Sequence, residues 1–311
     1  MVVKPAPESP LDCYLLAESA RRGRCTRGRR VDRRRRPRDG RAPGASPGRR
    51  QGRLHRLHRG RSHDRRDLRS ADSSVSRWSL GGKSAAIILD DADEATAIEG
   101  LKFLGVMNSG QACVAQTRVL VSRERHDAFA ASLAAAIGAM KVGDPLDPAT
   151  EIGPMVAQRQ QERVEKYIAL GQEEGARLLT GGNGRPDGLD RGWYVRPTVF
   201  AGVDNRMRIA QEEIFGPVLS VTPYDDVADA VRIANDSDYG LAGTVWTADP
   251  EAGLEVARGV RTGTYGINTY TMDFAAPFGG FKASGVGREF GPEGLAQYTE
   301  AKSVYLSAPP L

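Results

Sequence analysis

From residue 78 onward apolar positions recur alternately at the helical period and at the period of two that marks a half-buried strand. The pattern predicts helices over 91–107, 124–140, 157–174, 227–235 and 250–258, and a short one over 292–298. Between them it predicts strands over 117–122, 177–180, 194–200, 218–224, 242–247 and 263–268, with a last strand over 302–306. Helix and strand alternate at the spacing of βαβ units, so the expected architecture is α/β, a mostly parallel sheet covered by helices.

The chain before residue 78 follows other rules. Residues 1–20 read as a short strand at Val2-Val3, a proline-rich turn, and a helix start with Ser9 as N-cap and Pro10 in the first turn. A strand already under way at the second residue reads as a truncated start. Residues 21–77 have almost no periodicity: Val31, Leu54, Leu57, Leu68 and Val75 are scattered singly. Too little apolar surface to bury means disorder is the physical expectation there. The same stretch holds 22 arginines, no lysine and five acids, a net +17 that leaves −12 on the rest of a chain whose total is +5.

Clustered arginine binds phosphate backbones. This segment lacks the interleaved aromatics that stack bases, with no Phe, Tyr or Trp between Arg21 and Arg77. Nucleic acid is therefore not the partner the sequence favours. Arg, Gly, Pro and Ala without Lys is also what GC-rich DNA encodes in a wrong reading frame. A frame-shifted segment and a disordered basic linker both remain open. The division that follows is 1–20 as a remnant of a cofactor-binding domain, 21–77 as an Arg-rich segment, 78–281 as a catalytic domain, and 282–311 as a C-terminal return with an oligomerisation strand.

Three cysteines, Cys13, Cys25 and Cys113, form no CxxC pair and no even-numbered framework, which points to a reduced compartment. No apolar run reaches the length of a membrane span, and residues 1–20 lack the pattern of a signal peptide. The expectation is a cytoplasmic protein with no membrane partner. His55, His58 and His63 sit in the Arg-rich piece without flanking ligands, and His126 reads as lying on an exposed helix face. No metal site is expected.

A lone cysteine is most often a small buried hydrophobe. Cys113 differs in its company, Met107-Asn108-Ser109-Gly110-Gln111-Ala112-Cys113, where small residues leave the sulfur uncrowded for nucleophilic attack on an electrophilic carbon. A paired carboxylate motif follows at Glu212-Glu213-Ile214-Phe215-Gly216-Pro217, which in isolation would read as a solvated turn. Leu80-Gly81-Gly82-Lys83-Ser84 superficially suggests a phosphate-binding loop, but the first required glycine falls on Arg77. Gly285-Val286-Gly287-Arg288 likewise misses the third glycine of a dinucleotide fingerprint.

Taken in order, Leu80-Gly-Gly-Lys-Ser, Asn108-x-Gly-Gln-x-Cys113, Glu212-Glu-Ile-Phe-Gly-Pro and Pro277-Phe-Gly-Gly-Phe-Lys-x-Ser-Gly-x-Gly-Arg-Glu289 resemble the aldehyde dehydrogenase superfamily over nearly all of residues 80–306. The resemblance implies an aldehyde-dehydrogenase-like α/β fold, a parallel-sheet catalytic domain beside a Rossmann-like cofactor domain that is incomplete in this chain. It implies oxidation of a small-molecule aldehyde to an acid with NAD or NADP. Cys113 would be the nucleophile and its backbone an oxyanion donor, passing through a thiohemiacetal and a thioester. Glu213 would hold the nicotinamide ribose, Phe215 would pack beside the nicotinamide riboside, and Lys4 would contact the adenosine ribose. The last strand would pair across subunits in a homo-oligomer, a dimer or a tetramer.

The chain departs from that pattern in three places. Ser79 stands where active relatives carry the glutamate that activates the deacylating water. Nothing over 21–77 resembles the family's glycine-containing phosphate turn. An asparagine that completes the oxyanion hole has no counterpart before Lys4. These departures make turnover by the chain as written doubtful. A scaffold that assembles with full-length relatives is the alternative reading, and an RNA-associating protein acting through 21–77 is the weaker one.

Overall fold

The computed structural model describes residues 81–305, the backbone of two strands at 51–55 and 75–79, and residues 14, 15, 18 and 19. Strand β1 (Gln51–His55) runs parallel to β2 (Val75–Ser79), and both fall in the stretch whose side chains predict no regular element. Ladder bonds are made by the backbone, so pairing does not require an apolar pattern. A two-residue strand, β10 (Gly285–Val286), closes this small sheet antiparallel to β2, setting Gly285 opposite Ser79.

The main sheet contains β3 (Ala85–Ile88), β4 (Arg118–Ser122), β5 (Arg177–Thr180), β6 (Thr198–Ala201), β7 (Val218–Tyr224), β8 (Gly243–Trp246) and β9 (Gly266–Ile267). Its order is β5-β6-β7-β4-β3-β8-β9, and every pairing is parallel except β5 with β6. The central strands are buried on both faces, as a sheet with helices on each side requires.

Alternation along each strand sorts the core into two layers. Ala86, Ile88, Val119, Val121 and Leu219 meet Leu101 and Leu104 of α1 (Glu94–Leu104) and Phe129, Leu133 and Ile137 of α2 (His126–Gly138). Ile87, Leu89, Leu120 and Val245 meet Ile233 of α5 (Val227–Asn235) and Val256 of α6 (Pro250–Gly259) on the opposite face. A third cluster joins Val164 and Ile168 of α3 (Gln158–Glu173), Phe200 of β6, Ile209 of the one-turn helix α4 (Arg208–Gln211), and Ile214. Aspartate N-caps fix the helix starts: Asp93 accepts from the Thr96 amide at 2.8 Å and Asp226 from the Asp229 amide at 2.8 Å.

Most elements keep the expected order with boundaries trimmed by a few residues. The strand expected over 194–200 starts at Thr198, and the one expected over 263–268 shrinks to Gly266–Ile267. The final helix, α7, spans Gly291–Ala296. Of the strand expected over 302–306, residues 302–305 carry no regular structure and are exposed, with no neighbouring strand among the described residues of this one chain. His126 also departs from expectation. It is buried at the start of α2, its Nε2 accepting from the Gly202 amide at 3.1 Å and its Nδ1 3.0 Å from Asp127. His126 and Phe129 in the first turn of α2 face the core, while Asp127 and Ala128 face solvent. Among the described residues no helix is long and apolar enough to cross a membrane, and no cluster of His, Cys, Asp and Glu could hold a metal ion.

Candidate active site

Three of the sequence motifs converge at the amino-terminal ends of β3, β4 and β7. The Cys113 loop enters β4, the Gly81-Gly82 turn enters β3, and residues 211–217 enter β7. The contact between the first and last of these is made through glycine. A methyl group at Gly110 would overlap the Gly216 carbonyl, and Gly110 itself has φ +71°. Before it, Asn108 and Ser109 are also left-handed, at φ 50° and 57°. Left-handed backbone is tolerated singly by Asn and Gly and is costly in a run. Side chains hold this run in place: Ser109 Oγ donates to the Gly153 carbonyl at 3.0 Å, and Gln111 Oε1 accepts the Val156 amide at 2.9 Å.

The two acids of the Glu-Glu pair part company. Glu212 is ion-paired with Arg208 at 2.7 Å and bonded by Tyr167, and the Arg208 bond holds its carboxyl below the usual range. Glu213 turns inward and is buried, with Oε1 accepting from the Gly82 amide at 3.0 Å. Its carboxylate fills the space a side chain at Gly81 would need, and the Cys113 carbonyl fills the space at Gly82. The glycines of that turn therefore allow Glu213 and Cys113 to approach one backbone turn together.

Cys113 is half-buried, and its thiol is pushed up to about 11 by burial and then by the charge of Glu213; bonds from the Cys113 and Val114 amides pull the other way. Met107, Tyr270, Phe278 and Phe290 gather with it into an apolar wall. Phe215 has φ 65°, strained for an aromatic residue, and α3 holds that loop through its carbonyls. Arg163 Nη2 donates to the Glu213 carbonyl at 2.6 Å and Gln160 Nε2 to the Phe215 carbonyl at 2.8 Å.

Arg118, five residues past the cysteine, is buried and donates to the Lys83, Ile233 and Ala234 carbonyls and to Asn205 Oδ1 at 2.9–3.1 Å. Burial pulls it down to about 10, which leaves it charged at neutrality. Arg118, Gln160, Arg163 and Tyr270 were not singled out by the sequence reading, and Lys83 entered it only as part of the Leu80–Ser84 motif. For Arg118 the available signal was a cation inside an otherwise apolar strand.

Cys113, Glu213 and Phe215 are thus brought together. Ser79 ends β2, and its backbone alone is described. Lys4 lies outside the described residues. The donor set suits a nicotinamide riboside, a carboxylate beside two glycines with Phe215 on the same loop, once the Glu213 carboxylate is turned out of the turn it fills here.

The aldehyde dehydrogenase family pattern matches residues 69–304. A geranial dehydrogenase of Castellaniella defragrans is 54% identical over 227 residues, covering 73% of this chain and 47% of that protein. An aldehyde dehydrogenase of Mycobacterium tuberculosis, crystallised with NAD+, is 52% identical with a TM-score of 0.82, over 85% of this chain and 54% of that one. An aldehyde dehydrogenase C variant of Pseudomonas syringae, crystallised with NAD+ and octanal, is 40% identical with a TM-score of 0.80, over 83% and 53%. The chain spans about half the length of the relatives it matches. With three signature loops meeting around one cysteine, and sequence and fold agreeing over most of its length, this chain belongs to the aldehyde dehydrogenase family.

Proposed function

We propose that the chain carries out the covalent half of aldehyde oxidation. The Cys113 sulfur adds to the carbonyl carbon of an aldehyde as the C=O π bond opens, and the thiol proton passes to the carbonyl oxygen to give a thiohemiacetal. The developing oxyanion is taken by the Cys113 backbone amide, where one such donor contributes roughly 10²–10³ in rate. The observation that carries this reading is the seating of Cys113 and Glu213 on the same Gly81-Gly82 turn. NAD+ or NADP+, when bound, supplies the hydride acceptor that turns the adduct into a thioester. Glu213 and Phe215 would hold the nicotinamide riboside end, and Lys4 the adenosine ribose. Met107, Tyr270, Phe278 and Phe290 offer the substrate an apolar wall, which suits an aldehyde with a hydrocarbon tail.

Release of the acid needs water made nucleophilic, and by the family's motif Ser79 would stand where that base is carried. A serine hydroxyl does not by itself take that proton near neutrality, and losing a general base costs about 10²–10⁴-fold. The thioester should therefore accumulate on Cys113. Mixing the protein with an aliphatic aldehyde and NAD+ and reading intact mass should show one acyl adduct, absent in Cys113→Ala. Rapid multiple turnover, or no adduct at any cofactor concentration, sinks this reading.

The proposal extends to organisation. Residues 78–281 would form the catalytic body and 282–311 the C-terminal return, with 1–20 and 21–77 taking the place in the sequence of a cofactor domain. Leu295, Tyr298, Val304 and Tyr305 are exposed near the chain end and suit burial against a second copy in a homo-oligomer. Three unpaired-pattern cysteines favour the cytoplasm. A second reading, a scaffold that assembles with full-length relatives without turning over, draws on the same exposed end and on Ser79. Association without acylation in the mass experiment selects it.

A further inference from the structure

Lys83 has no assigned task. It follows Gly82, the residue whose amide Glu213 occupies, and it is 2% exposed. Its Nζ has no hydrogen-bond partner among the described residues. A buried amine without a partner works against folding, and an apolar side chain would fill the same space without that penalty. Such violations of local stability rules concentrate at functional sites.

The charged groups facing Lys83 come from three directions: Arg118 on β4, Glu212 and Glu213 on the loop entering β7, and Arg163 on α3. Burial brings its pKa down to about 7; Arg118 and Arg163 push the same way, and Glu213 and then Glu212 oppose them. We infer that Lys83 is a positioning residue for Glu213: its buried ammonium draws the carboxylate inward onto the Gly82 amide, and the neutral amine releases it to turn outward. The outward half rests on the reading that Glu213 serves a cofactor ribose. The inward half rests on the geometry alone. Lys83 thus couples proton concentration near neutrality to the choice between a shielded cysteine and an open cofactor site.

The test uses neither cofactor nor aldehyde. Iodoacetamide alkylation of Cys113, followed by peptide mapping, is measured from pH 6 to 8. A thiol titrating well above this range gives about a hundredfold rise, one decade per pH unit. An inward Glu213 opposes the thiolate, so its release across neutrality makes the wild-type rise steeper, roughly threefold to tenfold beyond that hundredfold. Lys83→Met and Glu213→Gln should each restore the plain hundredfold slope, and Lys83→Arg should keep that slope but react more slowly at pH 8 than Lys83→Met.

A plain or shallower wild-type slope overturns the proposal. A shallower slope is what direct loss of a cation near the thiol would produce. Extra steepness that survives in either Lys83→Met or Glu213→Gln overturns it too. Should Lys83→Met fail to fold, wild type and Glu213→Gln still decide the matter. Failure of the functional reading would appear as a missing acyl adduct and leave these slopes unchanged.

Discussion

The two edges of the parallel sheet are built on opposite principles. At the carboxyl-terminal ends of the strands, charge is satisfied by local bonds. Asp91 accepts from Thr247 Oγ1 and from the Ala248 and Asp249 amides, and Arg125 donates to the Leu89 and Asp90 carbonyls. The left-handed non-glycine after β9 is Asn268, a type that tolerates it, and its amide group bonds Thr247 in both directions. At the amino-terminal ends lie an unpartnered buried amine, a thiol beside a carboxylate, and left-handed Asn108, Ser109 and Phe215. Ligands in open α/β sheets usually sit at the carboxyl ends. Here the strained and incompletely compensated edge is the other one. The strained edge is the one that carries the proposed site.

Breaking the bonds of Arg118 should have the largest effect. Arg118→Met leaves four buried acceptors without their donor and should cost about 4 kcal/mol or more, read as a fall in the urea midpoint. Gly110→Ala places a methyl group in the Gly216 carbonyl. It should lower acylation of Cys113 by about a hundredfold while the protein stays folded, because misplacement by an ångström costs that much. Asp91→Ala tests the quiet edge: about 1–3 kcal/mol of stability is lost, and the alkylation rate of Cys113 stays within about twofold of wild type. If that rate collapses, the two edges are not separable.

Lys83→Met has the opposite sign. Between its folded pKa of about 7 and its ordinary value of 10.5, the unfolded chain holds a proton on Lys83 that the folded chain has lost. The burden on folding is therefore full below pH 7 and fades as pH rises towards 10.5. The variant should melt higher than wild type at pH 6, with the gap closing towards pH 10. A gap that does not change with pH would show that the amine is not buried as a titrating group.

The architecture was legible because it is written in periodicity. Strand 218–224 and helix 227–235 coincide with their expected ranges, since alternation and an Asp226 cap specify both ends locally. Residues 302–305 are not a strand in the single chain, because alternation at Val304 specifies pairing only where a partner strand exists. Cys113, Glu213 and Phe215 were recoverable because motif spacing carries them. Arg118 was not, since its partners lie 35 to 116 positions away, and neither was the task of Lys83, which depends on the still more distant Glu213. His126 misled for a similar reason: its partner Gly202 is 76 residues distant.

The grip of Arg118 also has a consequence for when the site can come into being. Its donors reach partners 35, 87, 115 and 116 residues away along the chain. Contacts of such separation form late, after shorter loops have closed. A chain emerging from the ribosome cannot complete this set until residue 234 is free, by which time Cys113 has long since emerged. The nucleophile should therefore stay open to chemical labelling through most of synthesis, becoming protected in the same phase that joins β4 to the end of α5. Pulse alkylation during refolding would reveal that shared phase, or its absence.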